Sequence, residues 1–154
     1  MPLRSNLGDF SSIICFKAVV VGIEETLGVG AAGVALKSAG RKRGHALVES
    51  LGLKGARPEP AAIVTSLNAA VGEGGTRLCS IASVVNNPDG TFVVRLSETV
   101  CSAGEPQGSD RQLTFTLGAL HGAFESLYGV KLRGKQTESV LRGGTHDTIT
   151  LTPA

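Results

Sequence analysis

A chain of 154 residues with 42% hydrophobic content can bury one sizeable core, and its length favours a single domain over 1–154. Lys and Arg number 15 against 13 Asp and Glu, a net charge of +2, so the dense positive stripe that binds nucleic acid is not present. The three cysteines, Cys15, Cys79 and Cys101, are widely spaced without a C-x-x-C, which signals neither a disulfide framework nor a zinc site and fits a reducing cytoplasm.

The first helix is expected from Asp9 as N-cap to Leu27, ending at Gly28, with Phe10, Ile13, Ile14, Val20, Val21 and Leu27 as its apolar positions. The apolar run Ile13 to Ile23 is broken by Lys17 and has no small-residue cleavage site after it. It reads as neither a signal peptide nor a membrane span, which needs about 18 or more uncharged apolar residues. A second helix is expected over Val29 to Leu51, carrying Val34, Leu36, Leu47, Val48 and Leu51, with Gly52 as its stop and Arg41, Lys42 and Arg43 in its middle.

Gly28-Val29-Gly30-Ala31-Ala32-Gly33 satisfies G-x-G-x-x-G, which at a strand-to-helix turn would cradle a pyrophosphate and mark a nucleotide-dependent enzyme. No strand directly precedes it and no βαβ series follows. The preferred expectation is a helix-to-helix connection whose glycines, with Gly40 and Gly44 further on, thin one helix side for a neighbouring helix or for the flat face of a ligand.

Two prolines and a glycine make Lys54 to Pro60 a linker, and Ala61 to Val71 reads as a short helix stopped by the Gly72 to Gly75 cluster. Arg77 to Val85 and Thr91 to Thr99 read as strands joined through Asn86-Asn87-Pro88-Asp89-Gly90, with Phe92, Val94 and Leu96 alternating onto one face. After the loop Ser102 to Ser109, Ser109-x-x-Gln112 offers a capping box for a helix with the stripe Leu113, Leu117, Leu120, Phe124 and Leu127. A strand from Val130 to Leu141, a turn at Gly143-Gly144 and a last strand Asp147 to Thr152, with Ile149 and Leu151 inward, close the chain.

The order of helices, hairpin, helix, hairpin predicts an α+β fold: an antiparallel sheet of about four strands in two hairpins, with about four helices on one face. His121 lies beside the apolar stripe, where its imidazole could face a pocket and ligate a metal-centred ring or could be merely structural. Glu138 shares strand phase with Val130, Leu132 and Val140, which directs it toward the core or an interface and demands a partner. Arg41, Lys42 and Arg43 could neutralise the carboxylate of a fatty acid or tetrapyrrole, meet an anionic lipid surface, or form a solvated helix face. No nucleophile stands with a base, and no enzyme is expected.

The segment LTFTLGALHGAFESLYG running into VKLRGKQTESVL and a hairpin, together with AGRKRGHALVESLGL, resembles the 4-vinyl-reductase-type hydrocarbon-binding domain over about a third of the chain. That family is related in fold to the vesicle-tethering TRAPP subunits and to the haem nitric-oxide-binding domain. The resemblance implies a homodimer with an apolar cavity for a tetrapyrrole, acyl chain or other hydrocarbon, and, as alternative, an assembly or scaffold factor for a protein partner, as in photosynthetic complex biogenesis; the place expected from the cysteines is the cytoplasm, with peripheral membrane contact through the basic run as a variant. With the second helix and the C-terminal helix lining the site, Gly40, Arg41, Gly44, Leu117, His121 and Phe124 are expected around the ligand, together with Glu138, whose position matches the Glu of the family pattern. The cysteines that many members carry are replaced here by Leu113 to Phe115, Leu141 and Asp147-Thr148, so any metal function of theirs is not expected.

Overall fold

The first helix starts at Ser12 rather than at Asp9. In a computed structural model, which describes residues 2–154, the Ser12 hydroxyl accepts the Ile14 N–H at 3.2 Å and α1 spans Ile13–Leu27. Asp9 is engaged upstream, where its Oδ1 accepts the N–H of Leu3 at 2.7 Å and of Arg4 at 3.3 Å. Gly28, at φ 81°, ends α1 and opens α2 (Val29–Ser50), a backbone conformation that a Cβ disfavours. The G-x-G-x-x-G run is thus a sharp junction between two helices, as its context implies.

Pro60 opens α3 (Pro60–Val71), where its missing N–H is harmless. The first hairpin, β1 (Ser80–Asn86) and β2 (Phe92–Ser97), follows, and α4 (Phe115–Tyr128) ends in left-handed Gly129 at φ 65°. The second hairpin is β3 (Leu132–Glu138) and β4 (Asp147–Pro153). All pairings are antiparallel in the order β1-β2-β4-β3, so four helices and an open four-stranded sheet give the expected α+β fold.

The register sets which side faces the helices. Phe92 opposes Leu151 and Val94 opposes Ile149 on the buried face, while Val93 opposes Thr150 and Arg95 opposes Thr148 on the other. Onto the buried face α4 lays Leu117, Leu120, Phe124 and Leu127, and the Phe124 and Phe92 rings meet edge-on at 5.1 Å between centroids. Asn68 of α3 fastens that helix to β1, receiving the Ile81 N–H at 2.8 Å and donating to its carbonyl at 2.9 Å.

Glycine brings α2 onto the back of α4. A Cβ at Gly40 would overlap the Phe115 carbonyl, one at Gly44 that of Ala119, and, reciprocally, ones at Gly118 and Gly122 those of Lys37 and Arg41. Two G-x-x-x-G faces therefore interlock backbone to backbone, a closeness that no other residue permits.

Three expectations are corrected. Of the apolar positions assigned to α1, only Val20 is fully buried, and Phe10, Ile13, Ile14 and Leu27 are exposed. Ser109 forms no capping box: its hydroxyl accepts the Arg111 N–H at 3.2 Å, and the Leu113 N–H goes to Gln136 Oε1 at 2.8 Å, which keeps the chain extended until Phe115. The strand expected to reach Leu141 stops at Glu138, because Ser139 caps a single 3-10 turn, Val140–Arg142.

Candidate functional site

Exposed apolar side chains on α1 point to the site. Beneath the N-terminal half of that helix lies a cleft of about 410 Å³, a volume typical of small-molecule sites. Its floor is Gly44 and Leu47 of α2, Val71 at the end of α3, Leu78 ahead of β1, and Phe115 and Ala119 of α4. Phe10, Ile13, Phe16 and Val19 overhang it from the α1 side, and the Phe16 and Phe115 rings meet edge-on at 5.0 Å. Polar groups stand only at its rim: Asp9, Ser11, Cys15, Arg43 and Thr76.

The cleft follows from sequence. Gly44 and Ala119 meet backbone to backbone where α2 crosses α4, and α1 closes over that contact from one side only. On its other side α1 is tied by charge to the loop between β2 and α4. Lys17 Nζ lies 2.8 Å from Glu105 and donates to the Cys101 carbonyl at 2.7 Å, Arg111 Nε lies 3.0 Å from Glu105, and a second Arg111 nitrogen pairs with Glu24. The Lys17 ammonium, by hydrogen bond first, holds the Glu105 carboxyl below its ordinary range against the opposing pull of burial.

The second cluster of interest is built on Glu125 of α4, whose side chain is 4% exposed. Arg41 grips it bidentately at 2.8 and 2.7 Å, the Leu132 N–H donates at 2.9 Å, and the Nε2 atoms of His45 and His121 lie at 3.1 and 3.3 Å. Burial pushes this carboxyl up, yet the Arg41 and Leu132 hydrogen bonds and the charges of His121 and Arg41 outweigh it and hold the pKa down at about 2. The cluster clasps α2, α4 and β3 together. Asp147 plays a similar part at the other end of the sheet, buried while accepting from Thr99 at 2.6 Å, Ser102 at 2.7 Å and the Val140 N–H at 3.1 Å.

Of the seven residues expected around a ligand, Gly44 alone lines the cleft. Gly40 is covered by Phe115 and Ala119, and Leu117 and Phe124 are buried between α4 and the sheet. Arg41 faces Glu125, so within the basic run it is Arg43 that reaches the rim. His121 turns to the strand edge rather than to a pocket, its Nε2 donating to the Leu132 carbonyl at 2.6 Å. Glu138 is likewise not directed inward: a bulge after Gln136 shifts the register so that Glu138 opposes Thr148 on the outer face, where it accepts the Thr148 hydroxyl at 2.6 Å. Sequence reasoning missed the α1 contribution, whose only signal was an apolar helix carrying more hydrophobic positions than one buried stripe can use.

Comparison with known proteins places this geometry among solved folds. No family model matches the chain, and no curated protein sequence does. Among solved structures, it is similar to the phenol-responsive sensory domain of the transcription activator PoxR, solved with phenol: TM-score 0.57, 13% identity, 94% of this chain and 76% of that one. It is also similar to trafficking protein particle complex subunit 3 from Naegleria fowleri, solved covalently bound to palmitic acid: TM-score 0.55, 14% identity, 93% of this chain and 97% of that one. At these identities the likeness is one of fold, and the chain has the α+β fold of a sensory domain and of a trafficking-complex subunit.

Proposed function

We propose that the protein binds a small hydrophobic molecule in the cleft between α1 and the α2–α4 pair, without transforming it. The observation that carries this reading is the cleft itself, apolar on floor and overhang and polar only at the rim, in a volume of about 410 Å³. Two proteins of the same fold, solved with phenol and with palmitic acid, support a hydrophobic ligand. A tetrapyrrole remains a narrower version of the proposal, and an acyl chain is the version that the rim chemistry favours.

Association with another protein chain, a second copy first, is the rival reading. It is favoured by Ile14, Leu27, Val29 and Val34, which stand exposed on the α1–α2 hairpin away from the cleft floor, Val34 at 73%.

One titration separates the two. Nile red, a neutral dye that brightens in apolar surroundings, is expected to bind the native protein at about one site, and Ile13→Trp, which fills the cleft from its partly exposed overhang, to remove the signal with the fold intact by circular dichroism. Were Val34→Glu to abolish the signal and Ile13→Trp to spare it, the cleft reading would fall to the rival.

A further inference from the structure

Arg43 is the cationic side chain at the cleft rim, and it is unspent: among the described residues it makes no ion pair and no side-chain hydrogen bond, whereas Arg41, half a turn away, is locked on Glu125. The remaining rim groups offer no positive charge. Ser11 and Thr76 are hydroxyls, Cys15 is a thiol, and Asp9 has one carboxylate oxygen engaged by the Leu3 and Arg4 N–H groups. Beneath the guanidinium the floor turns apolar at once through Gly44 and Leu47.

Resting on the cleft reading, we infer that the ligand is an amphiphile with an anionic head, its chain lying between α1 and Leu47, Val71 and Leu78, and its head paired with Arg43. A planar guanidinium meets a carboxylate or phosphate through two parallel hydrogen bonds, which a neutral alcohol cannot return. The chain supplies the affinity by burial and the head supplies the choice. Asp9 repels an anion that strays toward the N-terminal segment, so the two rim charges together orient the molecule with its head toward α2.

The test displaces Nile red from the native protein with hexadecanoic acid, hexadecyl phosphate and hexadecanol, three ligands with one chain and different heads. Because Arg43 is solvent-exposed, the expected preference of both anions over the alcohol is modest, about threefold to tenfold. Arg43→Gln is expected to erase that preference while leaving hexadecanol unchanged, and Arg43→Lys to restore part of it; whichever anion leads identifies the head as carboxylate or phosphate. Equal displacement by all three ligands, or a preference that survives in Arg43→Gln, overturns the head assignment and leaves the cleft reading standing. Failure of all three to displace dye that Ile13→Trp does remove overturns the amphiphile altogether.

Discussion

Glu125 concentrates the acid sensitivity of the fold in one side chain. Its folded pKa, about 2, lies below the ordinary 4.5, so the carboxylate contributes stability above about pH 4.5 and that contribution is lost as pH falls toward 2. Glu125→Gln keeps the shape and removes the charge, leaving Arg41 without its anion and one lone-pair set fewer for Leu132. The variant is expected to be less stable near neutrality by about 2 kcal/mol. Between pH 4.5 and 2 the gap between variant and native protein closes, since the native protein alone loses this term. Urea unfolding at several pH values measures it, and a gap that stays constant through that window assigns the loss to packing rather than to the charge. Nothing in the sequence marked this residue. A glutamate inside an apolar stripe looks like one more surface position, and its α2 partners, Arg41 and His45, are 84 and 80 residues away in the chain.

Helices and hairpins were legible where pattern and turn chemistry agree, as in the stripe of α4, the alternation of β2 and β4, and the glycine junction between α1 and α2. The start of α4 and the end of β3 were not, because tertiary partners decide them: Gln136 claims the Leu113 N–H, and a bulge turns Glu138 outward. The packing role of the glycines was readable, and their pairing was not, since it depends on which helix lies against which. That pairing makes a sharp forecast. Gly118→Ala gains helix propensity of about 1 kcal/mol yet drives a methyl into the Lys37 backbone, and the clash wins, for a net loss of about 2 kcal/mol. Gly22→Ala in α1, where a Cβ meets nothing within 4 Å, is expected to gain about 0.5–1 kcal/mol. If both substitutions shift the urea midpoint in the same direction, the glycines act through the unfolded chain and not through α2–α4 contact.

The molecule as a whole has two cores of unequal size. The large one joins the sheet, α3, α4 and the end of α2, while Val20, Ala32 and Leu36 form a small separate cluster where α1 meets α2. A helix that shares so little apolar surface with the body is held by its charges instead, Lys17 and Glu24 against Glu105 and Arg111. Such an element opens at a lower free energy than the global unfolding of the body, and the opening exposes the cleft. Glu105 is where the strap can be cut with least harm, since it takes both Lys17 and Arg111 and its backbone lies in a loop. Glu105→Gln is expected to speed amide exchange across Ile13–Leu27 severalfold and to leave the Phe115–Tyr128 amides at their native rates. Salt added to the native protein acts in the same direction, because partly buried pairs are screened less than surface pairs but not fully. A bound amphiphile acts in the opposite direction, bridging Ile13 and Val19 to Leu47 and Leu78 with apolar contact that the free protein lacks. Hexadecanoic acid should therefore restore slow exchange in α1 of Glu105→Gln, and exchange there that ignores both the strap and the ligand would show α1 to be a fixed wall of the cleft rather than its gate.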